Sequence, residues 1–251
     1  MGVSWLYEYP LVDPAKQSSQ AVEDIQKQLQ ANGAQKTGSF SVDATLYTPK
    51  QAIGVTKMIH LCHHSAYPES SFTLINSGPK SGDGSMDAVS KTLFAVSDTN
   101  FDLLLNKFQS AFTGRLTMSA EARGPVFTLK DFIVRVAAVS IGQSFKGILI
   151  EVEYLPCMVT GACHELLKEF CESLLGPQLV HPPQLAELPA FNYLRPGHFH
   201  LYQPIDTVSQ YLEYFERYRK QQQQSLSVPP QTSLAAFGSV PSMQQAASMI
   251  G

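Results

Sequence analysis

The residues with the most chemical potential are Glu151 and Glu153, set two apart on a run that alternates cleanly. Across 147–154, Ile148, Ile150, Val152 and Tyr154 share one face, and Leu149, Glu151 and Glu153 share the other. Period-two alternation predicts an antiparallel strand half buried against a core, with the acids on a solvent-exposed face of an outer strand. Two carboxylates on one strand face can also hold a divalent cation against a polyphosphate. Other ligating groups crowd elsewhere: His60, Cys62, His63 and His64 at one place, Cys157, Cys163, His164 and Cys171 at another. Yet no C-x₂-C occurs, and neighbouring strand residues point to opposite faces, so His63 and His64 are poorly set to share a metal. His198 and His200 share a strand face but lack a third ligand. The four cysteines show no paired spacing and read as reduced, mostly buried thiols. No G-x-S-x-G, P-loop or G-x-G-x-x-G is present, so neither a metal nor a cofactor is expected.

These groups depend on one central unit, 130–175, which reads as strand, turn, strand and helix. Phe132, Ile133, Val134, Val136, Val139 and Ile141 make its first strand. The turn Gly142-Gln143-Ser144-Phe145-Lys146-Gly147 has a glycine at each end, where positive φ is expected. Past Pro156 the period changes: Leu166, Leu167, Phe170, Cys171, Leu174 and Leu175 fall at helical spacing, and Gly176-Pro177 stops the helix.

The remainder of the chain supplies more of the same material. Val3–Tyr9, Gly38–Val42, Lys57–Cys62, Phe72–Ile75, Leu93–Val96, Gly114–Ala120, Gly124–Leu129 and His198–Tyr202 are predicted strands, 57–75 forming a hairpin pair. Ala21, Val22, Ile25 and Leu29 form one helical stripe, and Phe101, Leu104, Leu105, Phe108 and Phe112 form a second. Asp206 caps a last helix lined by Val208, Tyr211, Leu212, Phe215 and Tyr218. Residues 77–91 read as a surface loop, and 221–251, which carry no charge, as a disordered tail. The sum is one α+β domain over 1–220: about eight mostly antiparallel strands in a sheet strongly curled or closed into a barrel, with three or four flanking helices.

Composition narrows the partners. With 44% hydrophobic and only 16% charged residues, a net charge of −3 and a pI near 6.1, the chain lacks the basic surface that grips nucleic acid directly. No run approaches the roughly 18 apolar residues of a membrane span, and no signal-peptide layout opens the chain. Four aromatics in eight residues, Tyr211, Tyr214, Phe215 and Tyr218, spread over more than one helix face. That density predicts a docking surface for a protein partner, together with Phe132, Val134, Val136 and Tyr154 of the central hairpin.

Two family patterns bear on these residues. Triphosphate-tunnel phosphohydrolases carry an E-x-E strand inside a closed barrel, which makes a metal-dependent hydrolase using Glu151 and Glu153 the alternative reading. Here Leu155 stands where those enzymes usually have lysine, and no second E-x-E occurs. The broader match is to the subunit 20 family of Mediator, the coactivator that links regulators to RNA polymerase II. It is carried by Met1-Gly2-Val3, Gly38-Ser39-Phe40-Ser41-Val42-Asp43, Lys57-Met58, His64-Ser65-Ala66-Tyr67-Pro68 and Asp98-Thr99-Asn100-Phe101-Asp102. It continues through Asp131-Phe132-Ile133-Val134, Gly147-Ile148, Glu151-Val152-Glu153-Tyr154-Leu155-Pro156-Cys157, Gln210-Tyr211-Leu212-Glu213 and Arg219-Lys220-Gln221-Gln222-Gln223. The resemblance implies a nuclear, non-enzymatic head-module subunit that pairs with Mediator subunit 18, each contributing a related incomplete barrel, and that meets other head subunits and, indirectly, RNA polymerase II. The 77–91 loop and the 221–251 tail depart from the family pattern.

Overall fold

The computed structural model describes residues 1–11, 18–50, 57–77, 93–176 and 201–227. Among these residues nine strands and four helices follow in the order β1 (Val3–Tyr9), α1 (Ser18–Ala31), β2 (Gln35–Pro49), β3 (Lys57–His64), β4 (Ser70–Ser77), β5 (Leu93–Asp98), α2 (Phe101–Lys107), β6 (Phe112–Gly114), β7 (Ala120–Leu129), β8 (Phe132–Ile141), β9 (Ser144–Tyr154), α3 (Thr160–Leu175) and α4 (Pro204–Ser227). The strands form a single antiparallel sheet in the order β1-β9-β8-β7-β2-β3-β4-β5, with the short β6 added beside β2. β1 and β5 are its two edges, so the sheet is not closed. It is a curled, incomplete barrel, the form that the family resemblance implies.

The curl follows from α4, which touches β1, β3, β4 and β8, strands spread across the whole sheet. α1 and α3 pack on the opposite, outer face, against β8, β9 and β1. There Phe132 stacks on Phe170 with ring centroids 3.7 Å apart, and Trp5 on His164 at 5.5 Å. Val134, Val136, Ile148, Ile150 and Val152 fill this outer core without exposure.

The central β8–β9 hairpin turns more tightly than its sequence suggests. Ser144 already pairs with Ile141, which leaves Gly142-Gln143 as the loop. Gly142 has the positive φ expected, +59°, but Gly147 does not. Gly147 is required by space: a Cβ there would lie 2.9 Å from the Tyr218 hydroxyl and 3.2 Å from Glu8 Oε1. Gly124 on β7 is tighter still. The β7–β8 register is the same on both sides of Gly124, at Arg123–Ala138 and at Val126–Arg135, and a Cβ on Gly124 would sit 1.8 Å from the Val136 carbonyl oxygen. Since backbone cannot yield as a flexible side chain can, Gly124→Ala is expected to cost about 3 kcal/mol. A urea unfolding midpoint equal to that of the parent chain would overturn this.

Three sequence expectations change. The strand expected over Gly114–Ala120 is replaced by β6 and a 3₁₀ turn at Leu116–Met118, closed by Ser119 Oγ donating to the Leu116 carbonyl. α2 stops at Lys107, so Phe112 lies on β6. Phe101, Leu105 and Phe112 join Tyr47, Leu61 and Ile59 in a small satellite core, while Leu104 and Phe108 stay exposed. The last helix runs on to Ser227, beyond the boundary expected at Lys220. The expected 77–91 loop, beyond Ser77, and the tail from 228 lie outside the described residues. Of the strand expected over His198–Tyr202, Leu201 forms an isolated bridge with Val159, and His198 and His200 lie outside the described residues.

Candidate functional site

Register decides where the two glutamates point. On β9 the odd residues face α4 rather than solvent, and Ser4, Leu6, Ile133 and Arg135 join them on that inner wall through the pairs Ser4–Glu153, Leu6–Glu151, Ile133–Glu153 and Arg135–Glu151. Glu151 is 1% exposed and Glu153 4% exposed. The solvent-facing acidic strand expected from the alternation is therefore corrected: β9 is buried on both faces, because α4 covers the face that the acids occupy.

A buried carboxylate survives only with strong partners. Arg135 Nη1 donates to Glu151 Oε1 at 2.6 Å and to Glu153 Oε2 at 2.9 Å. Gly2 N–H donates to Glu153 Oε1 at 2.8 Å, and Ser4 Oγ to Glu151 Oε1 at 3.1 Å. The Tyr211 hydroxyl donates to Glu151 Oε2 at 2.9 Å. His64 Nδ1 accepts the Ala66 N–H, which leaves the proton on Nε2, 3.6 Å from the same Oε2. Burial by itself raises the Glu151 carboxyl; the Arg135 guanidinium, with His64 and Tyr211, overrides it and holds the group down at about 2. All four carboxylate oxygens thus face protein donors, so the pair is built as an ion cluster rather than as an open set of cation ligands. Among the described residues no three His, Cys, Asp or Glu side chains converge as a metal site. The hydrolase alternative loses its geometric basis here.

The space that would form a tunnel is occupied by α4, whose length is about 36 Å at 1.5 Å per residue. The helix starts at Pro204, two residues before the cap expected at Asp206, which instead lies in the first turn and reaches back to accept the Gln203 N–H at 2.7 Å. Val208, Tyr211, Leu212, Tyr214, Phe215 and Tyr218 are all buried. Polar side chains stitch the helix to the wall. Gln210 Oε1 accepts the Leu6 N–H at 2.9 Å while its Nε2 donates to the Ser4 carbonyl at 3.1 Å. One side-chain amide thereby satisfies β1 in the way a neighbouring strand's backbone does, and it shields that sheet edge. Arg217 pairs with Glu8, and the Tyr218 hydroxyl donates to Glu8 Oε1 at 2.7 Å. Farther along, Arg219 donates to the carbonyls of Met118 and Ala44 and reaches His60 Nδ1 at 3.4 Å. Burial, then Arg219, lowers the His60 pKa to about 4.

This arrangement relocates the expected docking residues. Phe132, Val134 and Val136 lie under α1 and α3, with Tyr154 half buried beside Phe132; Tyr211, Tyr214, Phe215 and Tyr218 fill the barrel interior. The aromatics exceed one stripe because the curled sheet covers most of α4, leaving a polar line of Glu213, Glu216 and Lys220 partly exposed. As a docking surface the set is corrected to core. Exposed apolar side chains gather instead on β5 and α2. Phe94 and Val96 are 50% and 58% exposed, although they share the sheet face of the buried Phe72 and Leu74 with which they register. Leu93, Leu103, Leu104 and Phe108 are exposed beside them in sequence. Arg135 and Gln210 are the functional side chains that sequence reading missed. An arginine within the apolar run 132–141, two strand positions from Ile133 and Ala137, was the available signal for the first.

The chain is thus an open antiparallel sheet curled around its own helix, with its acidic pair locked to an arginine and, among the described residues, no strand beyond β5. Residues 1–216 match the family described as the TATA-binding related factor of subunit 20 of the Mediator complex. A relative from Aedes aegypti, named Mediator of RNA polymerase II transcription subunit 20, is 37% identical over 223 residues, covering 88% of this chain and 96% of its own. The Anopheles gambiae protein of the same name is 35% identical over 237 residues, covering 92% and 100%. A chain in the structure of the Schizosaccharomyces pombe Mediator head module aligns at 13% identity with a TM-score of 0.30, over 59% of this chain and 79% of that one. The chain belongs to the Mediator subunit 20 family.

Proposed function

We propose that the chain is a non-enzymatic interaction subunit of the Mediator head module, acting in the nucleus in RNA polymerase II transcription and heterodimerising with Mediator subunit 18. The observation that carries the reading is the asymmetry of the two sheet edges. β1 is closed by Gln210, whereas β5 ends the sheet with no further strand among the described residues and with apolar side chains exposed on both faces. An apolar edge strand without a neighbour invites another strand and is normally blunted unless a partner covers it. Family membership supplies the assembly in which that partner is found, and a second incomplete barrel is a suitable occupant because it too has an edge to pair.

The test is affinity purification of the tagged full chain from nuclear extract, with partners identified by mass spectrometry. Head subunits should be recovered in stoichiometric amounts, subunit 18 among them. Phe94→Asp combined with Val96→Lys should reduce that recovery at least about tenfold, while the melting temperature stays within a few degrees because both side chains are at least half exposed. Recovery of the chain alone, at monomer size, would sink the assembly reading. Undiminished recovery with the β5 variant would move the contact off this edge.

A further inference from the structure

Two of the four cysteines, six apart in sequence, are brought together where β9 hands over to α3. Cys157 lies in the connection and is half buried; Cys163 lies in the first turn of α3 and is buried. Both thiols donate to one acceptor, the Val159 carbonyl, at 3.2 Å and 3.7 Å, which sets them side by side. Cys62 and Cys171 are each buried apart from this pair, Cys171 against the Tyr7 hydroxyl. The segment between the two thiols also anchors both ends of the inner layer. The Cys157 carbonyl accepts the Val3 N–H at 3.0 Å, which starts β1. The Met158 carbonyl accepts the Tyr202 N–H at 2.8 Å, and Val159 bridges Leu201, which fixes the chain leading into α4.

We propose that Cys157 and Cys163 form a reversible disulfide, a redox site in which Cys157 meets the oxidant and Cys163 resolves it. The oxidant is a small-molecule disulfide of the glutathione class. The Cys157 thiolate attacks one of its sulfurs, the small S–S bond breaks, and one small thiolate leaves. The Cys163 thiolate then attacks the Cys157 sulfur of the mixed disulfide, and the second small thiolate leaves. Two protein thiols are oxidised to one disulfide, one small disulfide is reduced to two thiols, and the two protons lost by the cysteines end on the released thiols. Exposure assigns the order, since only Cys157 of the pair reaches solvent. Burial and then the facing Cys157 push the Cys163 thiol up to about 12, and capping Cys157 removes the second cause. The bond would staple the strand that begins β1 and the approach to α4 to the same helix.

The full chain is treated with oxidised glutathione, denatured, alkylated with iodoacetamide and cut with trypsin. The peptide following Lys146 and ending at Lys168 holds Cys157 and Cys163 and no other cysteine. It should lose both alkylation sites and weigh less by two hydrogens, while Cys62 and Cys171 remain alkylated. Cys163→Ala should instead accumulate a persistent glutathione adduct on Cys157, and Cys157→Ala should leave Cys163 unmodified. The proposal is overturned if wild type keeps both sites alkylatable, if it stops at the same adduct as Cys163→Ala, or if Cys62 and Cys171 oxidise just as readily.

Discussion

Replacing Arg135 with methionine is expected to destabilise the chain by about 3–5 kcal/mol at pH 7, the usual cost of leaving a buried charge without its partner. The cost is large because Arg135 alone bridges Glu151 and Glu153 from a position almost as buried as theirs. Its pH dependence separates this from a simple packing loss. In the parent chain Glu151 sits at about 2 against an ordinary 4.5, so its contribution is complete above about pH 4.5 and is lost as the pH falls towards 2. His60, lowered to about 4 from 6.5, acts in the same direction: its contribution is complete above about 6.5 and is lost as the pH falls through 4. Without Arg135, burial dominates and favours the neutral Glu151 carboxyl, so protonation now relieves the defect. The penalty should therefore shrink between pH 7 and pH 5, as read from urea midpoints at the two values. A penalty that grows towards acid would contradict the ion-cluster assignment. Removing only the carboxylates, Glu151→Ala with Glu153→Ala, should also be costly, because Arg135 is then the unpaired charge. Neutralising all three, with Arg135→Met, Glu151→Gln and Glu153→Gln together, should recover much of the loss.

The hairpin, the helix stop at Gly176 and the antiparallel curl were legible because each rests on local pattern: alternation, period 3.6 and turn residues. The placement of Glu151 was not. An alternating strand with acids on one face looks the same whether that face meets water or a second layer, and the layer here, α4, arrives some fifty residues later. The rule that segregated acids face solvent fails when an arginine on the next strand neutralises them, and Arg135 lies opposite Glu151 only once the β8–β9 register is known. The aromatic excess on α4 misled for a related reason. Helix patterning separates a buried stripe from a free face, but a helix held in a curled sheet is covered on all but a narrow polar line, and its extra tyrosines reach inward to Glu151 and Glu8. The Cys157–Cys163 meeting was hidden by a change of element between the two residues, since neither strand nor helix spacing relates them.

Phe215→Ala is the most direct test of a helix inside the barrel, and about 3–5 kcal/mol of lost stability is expected. Phe215 is fully buried, with the Tyr211 ring 6.0 Å away between centroids, and the wall around it is held by polar bonds from Gln210, Tyr211 and Arg219. Those bonds keep α4 and the sheet from moving in to fill the space, so the cavity persists and the cost lies towards the upper part of that range. Partner recovery through β5 should be unchanged at temperatures where the variant remains folded, because Phe94 and Val96 belong to another strand. Were α4 an outward docking helix, the same substitution would cost under about 1 kcal/mol and abolish partner recovery instead. The two readings thus move stability and binding in opposite senses, and a urea midpoint measured beside a pull-down at low temperature decides between them.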